Sequence, residues 1–241
     1  VEVTDVTGGE DGQSRGVNVL VSRRGVQVAE DAEESRLERR AHLATLDPRQ
    51  LDTELTRAFI GERELHDAQR SALAHLSQGR RCLTVMATGR GKSLIFHLHA
   101  ARVALRDGKA SIFVFPLRAL VSDQAFHLEE AFAGIGLCVT TLTGESPPTV
   151  RDATFAALST GEVDVVLTTP EFLEHHAARF AAAQRIGFVV VDEAHHVGIS
   201  RAGHRPAYGR LGQALATLGE PSVLAVTATA GSDVAASIRE V

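Results

Sequence analysis

Tryptophan is absent from this sequence, cysteine occurs twice and methionine once. Cys82 and Cys138 cannot make a disulfide scaffold or a four-ligand zinc site, so no structural zinc is expected from them. No uninterrupted apolar run approaches the roughly 18 residues that a membrane span requires. The N-terminus also lacks the basic-then-apolar layout of a secretory signal. A membrane role is not expected, and a reducing cytoplasm is the default compartment. An excess of basic charge is missing too: 25 Lys and Arg stand against 30 Asp and Glu, a net charge of -5. Such a chain lacks the strong basic field of a nonspecific nucleic-acid coat, so any contact of that kind has to be local. Met86 is the only methionine and the chain starts at Val1, which leads to the expectation of a piece of something longer. What remains is ordinary globular composition, 44% hydrophobic and 23% charged over 241 residues. It suits one large domain, or one domain with a small appendage.

The acidic excess sits at the front, where residues 1–47 hold ten acidic and six basic side chains. Val17 to Val28 places β-branched residues at alternate positions around Arg23-Arg24-Gly25, the pattern of a hairpin or short strand. Glu30 to Arg40 is a run of mixed charge that suits a solvated helix or a linker. Residues 1–47 are therefore expected to be an N-terminal appendage or the tail of a preceding domain, with the main domain at 48–241. From about Asp47 onward, short apolar segments alternate with helical ones. The strand candidates are Arg81–Met86, Ser111–Phe115, Leu137–Thr141, Val163–Thr168, Ile186–Val191 and Ser222–Val226. Ser93–Arg106 and Leu117–Phe132 are among the helical stretches between them. Buried apolar strands alternating with helices predict an α/β fold, a parallel sheet with helices on both faces.

The strongest chemical signal follows the first strand, Met86-Ala87-Thr88-Gly89-Arg90-Gly91-Lys92-Ser93. A Gly-rich turn between strand and helix aims consecutive backbone amides at a phosphate, and the helix N-terminus adds a favourable dipole. Lys92 would neutralise the β- and γ-phosphates, and the Ser93 hydroxyl would ligate Mg2+. The strict pattern wants glycine where Met86 stands, so this is a variant phosphate loop; the alternative is a chance Gly-Lys-Ser turn. The second signal is Phe188-Val189-Val190-Val191, a buried strand that ends in Asp192-Glu193-Ala194-His195. Strand C-termini are where open α/β sheets place their ligands. There Asp192 can hold the magnesium shell and Glu193 can polarise an attacking water; the bland alternative is a helix N-cap. His196 reads as an ordinary neighbour, not a metal ligand. Together the two motifs predict a nucleoside triphosphatase that uses ATP and Mg2+.

Thr88 to Ser93, Asp192 to His195 and Thr227-Ala228-Thr229-Ala230 stand in the order and spacing of superfamily 2 helicases. Within that group the chain most resembles the RecQ family. Phe115-Pro116-Leu117-Arg118-Ala119-Leu120 resembles its motif Ia, and Thr168-Thr169-Pro170-Glu171-Phe172-Leu173 its motif Ib. Arg205-Pro206-Ala207-Tyr208 with Leu211-Gly212 resembles the end of the aromatic-rich loop. Gln69, after Gly61 and Leu65, stands at the family's adenine-recognising glutamine. The resemblance covers about residues 55–235 and implies the first RecA-like P-loop NTPase lobe of an ATP-dependent DNA helicase, DEAH-box type.

What this implies for single residues follows. Gln69 reads adenine with one donor and one acceptor. Thr88, Gly89, Arg90, Gly91, Lys92 and Ser93 cradle the phosphates, with Asp192 on Mg2+ and Glu193 and His195 in the catalytic set. Thr227 and Thr229 couple the nucleotide state to DNA. Arg118, Thr143, Thr169 and Arg205 contact nucleic acid, although plain surface solvation is the alternative for Arg118 and Thr143. The implied partners are single-stranded or forked DNA and a second RecA-like lobe. The implied setting is the bacterial cytoplasm, associated with the nucleoid, in repair or recombination with 3'-to-5' polarity. Three departures stand out: Ser200 at the loop's tryptophan position, His204 at its phenylalanine position, and His66-Asp67 in place of Arg-Pro. Base stacking on an aromatic contributes roughly 1–3 kcal/mol, so the coupling loop is built differently here. The rival readings are another superfamily 2 motor, such as a duplex translocase or an RNA helicase, and a nucleotide-sensing or protein-docking module of a larger repair protein.

Overall fold

The computed structural model describes residues 23–196, 210–219 and 221–228. Six strands form one sheet: β1 (Cys82–Val85), β2 (Ala110–Val114), β3 (Val139–Leu142), β4 (Val165–Thr168), β5 (Ile186–Val191) and β6 (Ser222–Thr227). Their order across the sheet is β1-β6-β5-β2-β4-β3, and every neighbouring pair is parallel. Each predicted strand is present, shifted by no more than a residue or two at its ends. The α/β architecture is as expected.

Alternate residues along the central strands enter two separate cores. Phe113, Phe188, Val190, Leu224 and Val226 face one side, while Ile112, Val114, Val189, Val191 and Ala225 face the other. A strand buried on both faces has no polar face to alternate with, which is why these segments read as continuous apolar runs. The first core is covered by α2 (Pro48–Ile60), α3 (Asp67–Leu76), α4 (Lys92–Asp107) and α5 (Arg118–Ala133). The second is covered by α6 (Pro148–Thr160), α7 (Pro170–Ala182) and α8 (Leu211–Thr217). Asp47 starts α2 through a capping box, its carboxylate accepting from the Arg49 and Gln50 amides while Gln50 reaches back to the cap.

A helix stands where the hairpin pattern of Val17–Val28 predicts strand. Residues 23–28 of that segment open α1 (Arg23–Thr45), and the rest lies outside the described residues. The short valine alternation gives way at once to Ala, Glu, Arg and Leu, strong helix formers that propagate the helix. The second half of α1 packs on the main domain. Leu43 is buried in the first core, and Arg40 forks onto Asp164 with contacts of 2.7 and 2.9 Å. Asp164 is fully buried and also accepts from the Cys138 amide at 2.9 Å. Gly136 sits at φ +79 with the helix so close that a Cβ there would lie 2.6 Å from the Arg36 carbonyl oxygen. No helix among the described residues is long and apolar enough to cross a membrane.

Candidate functional site

The sheet order brings the C-terminal ends of β1, β6 and β5 side by side. Val85 pairs with Thr227, and the Met86 amide continues the ladder to the Thr227 carbonyl at 3.1 Å. From there the chain turns through residues 86–91 into α4. Gly89 (φ +78) and Gly91 (φ +74) occupy left-handed backbone, which glycine adopts without a Cβ penalty. Met86 is not among the positive-φ residues; its side chain packs against the first core and its carbonyl accepts from Lys92 Nζ at 3.0 Å. At the position where the strict pattern wants glycine, the loop contact is made by backbone while the larger side chain is accommodated against the core. Lys92 lies folded over the loop it opens. Thr88 and Arg90 are exposed, and Ser93 is half-buried in the first turn of α4.

Gln69 is 2% exposed and ties two elements together. Its Oε1 accepts from the His66 amide at 2.8 Å, and its Nε2 donates to the Gly91 carbonyl at 2.9 Å. A Cβ on Gly91 would stand 2.7 Å from that Nε2. The donor and the acceptor that an adenine edge would take are both engaged within the protein.

At the end of β5 the Asp192 amide donates to the Val114 carbonyl at 2.9 Å, and Glu193 turns into left-handed backbone at φ +48. Burial pushes the Asp192 carboxyl above its usual range, and the neighbouring Glu193 charge adds to this; a hydrogen bond from the Glu193 backbone and the Lys92 ammonium pull it back. His195 Nδ1 lies 3.1 Å from Glu193 Oε2 and 3.1 Å from Thr227 Oγ1. Thr227 is fully buried. One imidazole thus joins the end of β5 to the end of β6. The hydroxyl of Ser93, the carboxylate of Asp192 and the ammonium of Lys92 form a hard oxygen and cation set that fits a magnesium nucleotide.

The other three strand ends carry the remaining sequence-predicted residues. Arg118 opens α5 and pairs with Glu145; both side chains are exposed. Thr169 is the N-cap of α7, its hydroxyl accepting from the Phe172 amide at 3.4 Å. Thr143 closes a turn, accepting from the Glu145 amide at 3.4 Å while its own amide donates to Ser146 Oγ at 3.0 Å. Arg118 and Thr169 line one basin of about 750 Å³ with Arg151, His176 and Arg210, residues that sequence reasoning did not single out. Arg151 and His176 lie on helices and Arg210 precedes α8, and no loop motif marks them. Arg205, Thr229, Ser200 and His204 lie outside the described residues.

A phosphate loop and an acidic strand end, adjacent on a parallel sheet with this strand order, define a P-loop nucleoside-triphosphatase lobe. The model of the DEAD/DEAH box helicase family matches residues 66–237. The chain belongs to that family, and RecQ-family helicases are among the relatives it resembles. It is 31% identical over 182 residues to ATP-dependent DNA helicase Q-like 5 of Arabidopsis thaliana, covering 74% of this chain and 19% of that protein. It is 28% identical over 177 residues to ATP-dependent DNA helicase RecQ of Haemophilus influenzae, covering 72% and 27%. With the uncharacterized ATP-dependent helicase YprA of Bacillus subtilis it shares 27% identity over 158 residues, covering 61% and 20%. The chain thus spans about a quarter or less of these relatives' length. A crystal structure of the DUF1998 helicase MrfA bound to DNA and AMPPNP has the same fold, with a TM-score of 0.64 at 22% identity, covering 81% of this chain and 28% of that one.

Proposed function

We propose that this lobe binds MgATP and couples its hydrolysis to separation of DNA strands, as one half of a two-lobed motor. The observation that carries the reading is His195, within 3.1 Å of both the Glu193 carboxylate and the Thr227 hydroxyl. A change at the phosphate end then has a direct route to Thr227 at the end of β6. Lys92, Ser93 and the amides of residues 88–91 hold the phosphates. Asp192 and Ser93 hold Mg2+, which when bound offsets the charge of the phosphate oxygens. Glu193 orients a water for attack, and its proton is taken up at the same carboxylate. Gln69 reads adenine by exchanging its bonds to His66 and Gly91 for the base edge. Arg118, Thr143 and Thr169 take the strand at the other half of the sheet, and Arg205 is a further strand contact.

The second RecA-like lobe supplies the missing cations for turnover; an absent arginine finger typically costs 10³–10⁵-fold. The 241-residue chain by itself is therefore a slow ATPase that unwinds nothing. The second half of α1 is an appendage packed on the lobe, the polarity is 3'-to-5', and the setting is repair or recombination at the bacterial nucleoid. The test is strand displacement by the full-length protein on forked DNA and on the matching RNA, with and without ATP. Displacement of DNA that requires ATP supports the reading. Displacement of RNA alone, or of neither, overturns it.

A further inference from the structure

Beyond the C-terminal ends of β2, β4 and β3 lies the basin of about 750 Å³. Three helices begin at its wall: Arg118 opens α5, Arg151 lies in the first turn of α6 and Thr169 caps α7. Their positive dipole ends add to the charge of the lining side chains. Those comprise three arginines, Arg118, Arg151 and Arg210, against two glutamates, Glu171 and Glu174. One net positive charge suits a single phosphodiester better than a triphosphate.

The arginines are not equally engaged. Arg118 pairs with Glu145 and Arg210 with Glu174. Arg151 differs: its Nε is sealed from solvent without a hydrogen-bond partner. Among the described residues no carboxylate pairs with its guanidinium, so its charge is uncompensated where it lines the basin, and an entering anion would be a charge-assisted partner. His176, half-buried beside it, is held below its ordinary pKa by burial and by the neighbouring His175, Arg151 and Arg179 side chains. Positive groups are crowded here.

We propose that Arg151, flanked by His176 and Arg210, is a further phosphate subsite that receives a backbone phosphate of the bound strand. It lines the same basin as the Arg118 and Thr169 contacts. The assignment rests on the strand-binding reading above.

The test is titration of a labelled oligo-dT onto the full-length protein at several salt concentrations, beside Arg151→Gln and Arg151→Lys. Each phosphate contact on a single strand contributes about 0.7 to the slope of log K against log salt. Arg151→Gln is expected to flatten that slope by about this amount, and Arg151→Lys to keep it. An unchanged slope in Arg151→Gln, with binding intact, overturns this assignment alone. A parallel arm adds inorganic phosphate at constant ionic strength. If Arg151→Gln alters phosphate inhibition but not the oligonucleotide slope, the basin takes free phosphate and the assignment falls. No binding by the unsubstituted protein would sink both this assignment and the motor reading.

Discussion

At the β1, β6 and β5 ends, motif residues hold one another. Lys92 closes its own loop on Met86, Gln69 clasps Gly91, and His195 bridges Glu193 and Thr227. At the β2, β4 and β3 ends the charged groups are held by carboxylates outside the motifs, Arg118 by Glu145 and Arg210 by Glu174. The first arrangement is inward and preorganised. The second keeps Arg118 and Arg210 on exposed or partly exposed pairs, each worth roughly 0–1 kcal/mol, that an incoming phosphate could displace at small cost. On the proposed reading, a nucleotide would meet groups that are first engaged within the protein, and a strand would meet exchangeable surface pairs.

The largest break in this contrast is expected from Lys92→Ala. Removing one preorganised cation from the phosphate cradle should lower kcat by about 10²–10³-fold in the full-length protein, measured by steady-state ATP hydrolysis. Next comes acid. His97 and His99 lie on α4 behind the loop, each with one sealed, unpartnered ring nitrogen, and burial lowers both from 6.5 to about 4. The unfolded chain therefore binds protons that the native state refuses. Stability is full above the unfolded value and is lost as pH falls from about 6.5 toward 4, by roughly 2 kcal/mol per histidine at pH 5. Denaturant midpoints at pH 7 and pH 5 check this, and His97→Leu should flatten the difference.

Gly91→Ala should be smaller but still sharp. Its φ of +74 disfavours any side chain, and the new Cβ would press on Gln69 Nε2 at 2.7 Å. A stability loss of about 1–3 kcal/mol, read from thermal denaturation, should accompany weaker nucleotide binding. A fall in affinity without a fall in stability would argue that Gln69 is no clasp. The smallest effect belongs to the open half. Arg118→Gln should change stability by less than about 1 kcal/mol, while the salt dependence of strand binding becomes shallower by about 0.7.

The same contrast explains what could be read from the sequence. The strands were legible because burial on both faces forces unbroken runs such as Phe188–Val191. The phosphate loop and the Asp192–Glu193 pair were legible because phosphate and Mg2+ admit few residue types at fixed spacing. Met86 looked like a departure, yet its backbone makes the contacts and φ there needs no glycine. The clasp by Gln69 was hidden because it joins positions 22 apart through a buried amide. Arg151, His176 and Arg210 were hidden because helix surfaces carry many arginines and only the fold gathers these around one basin. The hairpin expected at Val17–Val28 failed over residues 23–28 because a short alternation cannot outweigh the helix that follows it.

The most direct measurement is ATP hydrolysis by the full-length protein with and without single-stranded DNA, beside Lys92→Ala. Coupling between the two halves of the sheet predicts turnover that rises strongly with the strand and vanishes in the variant. Turnover indifferent to DNA, or none at all, would contradict it and leave a nucleotide-sensing or protein-docking module in its place.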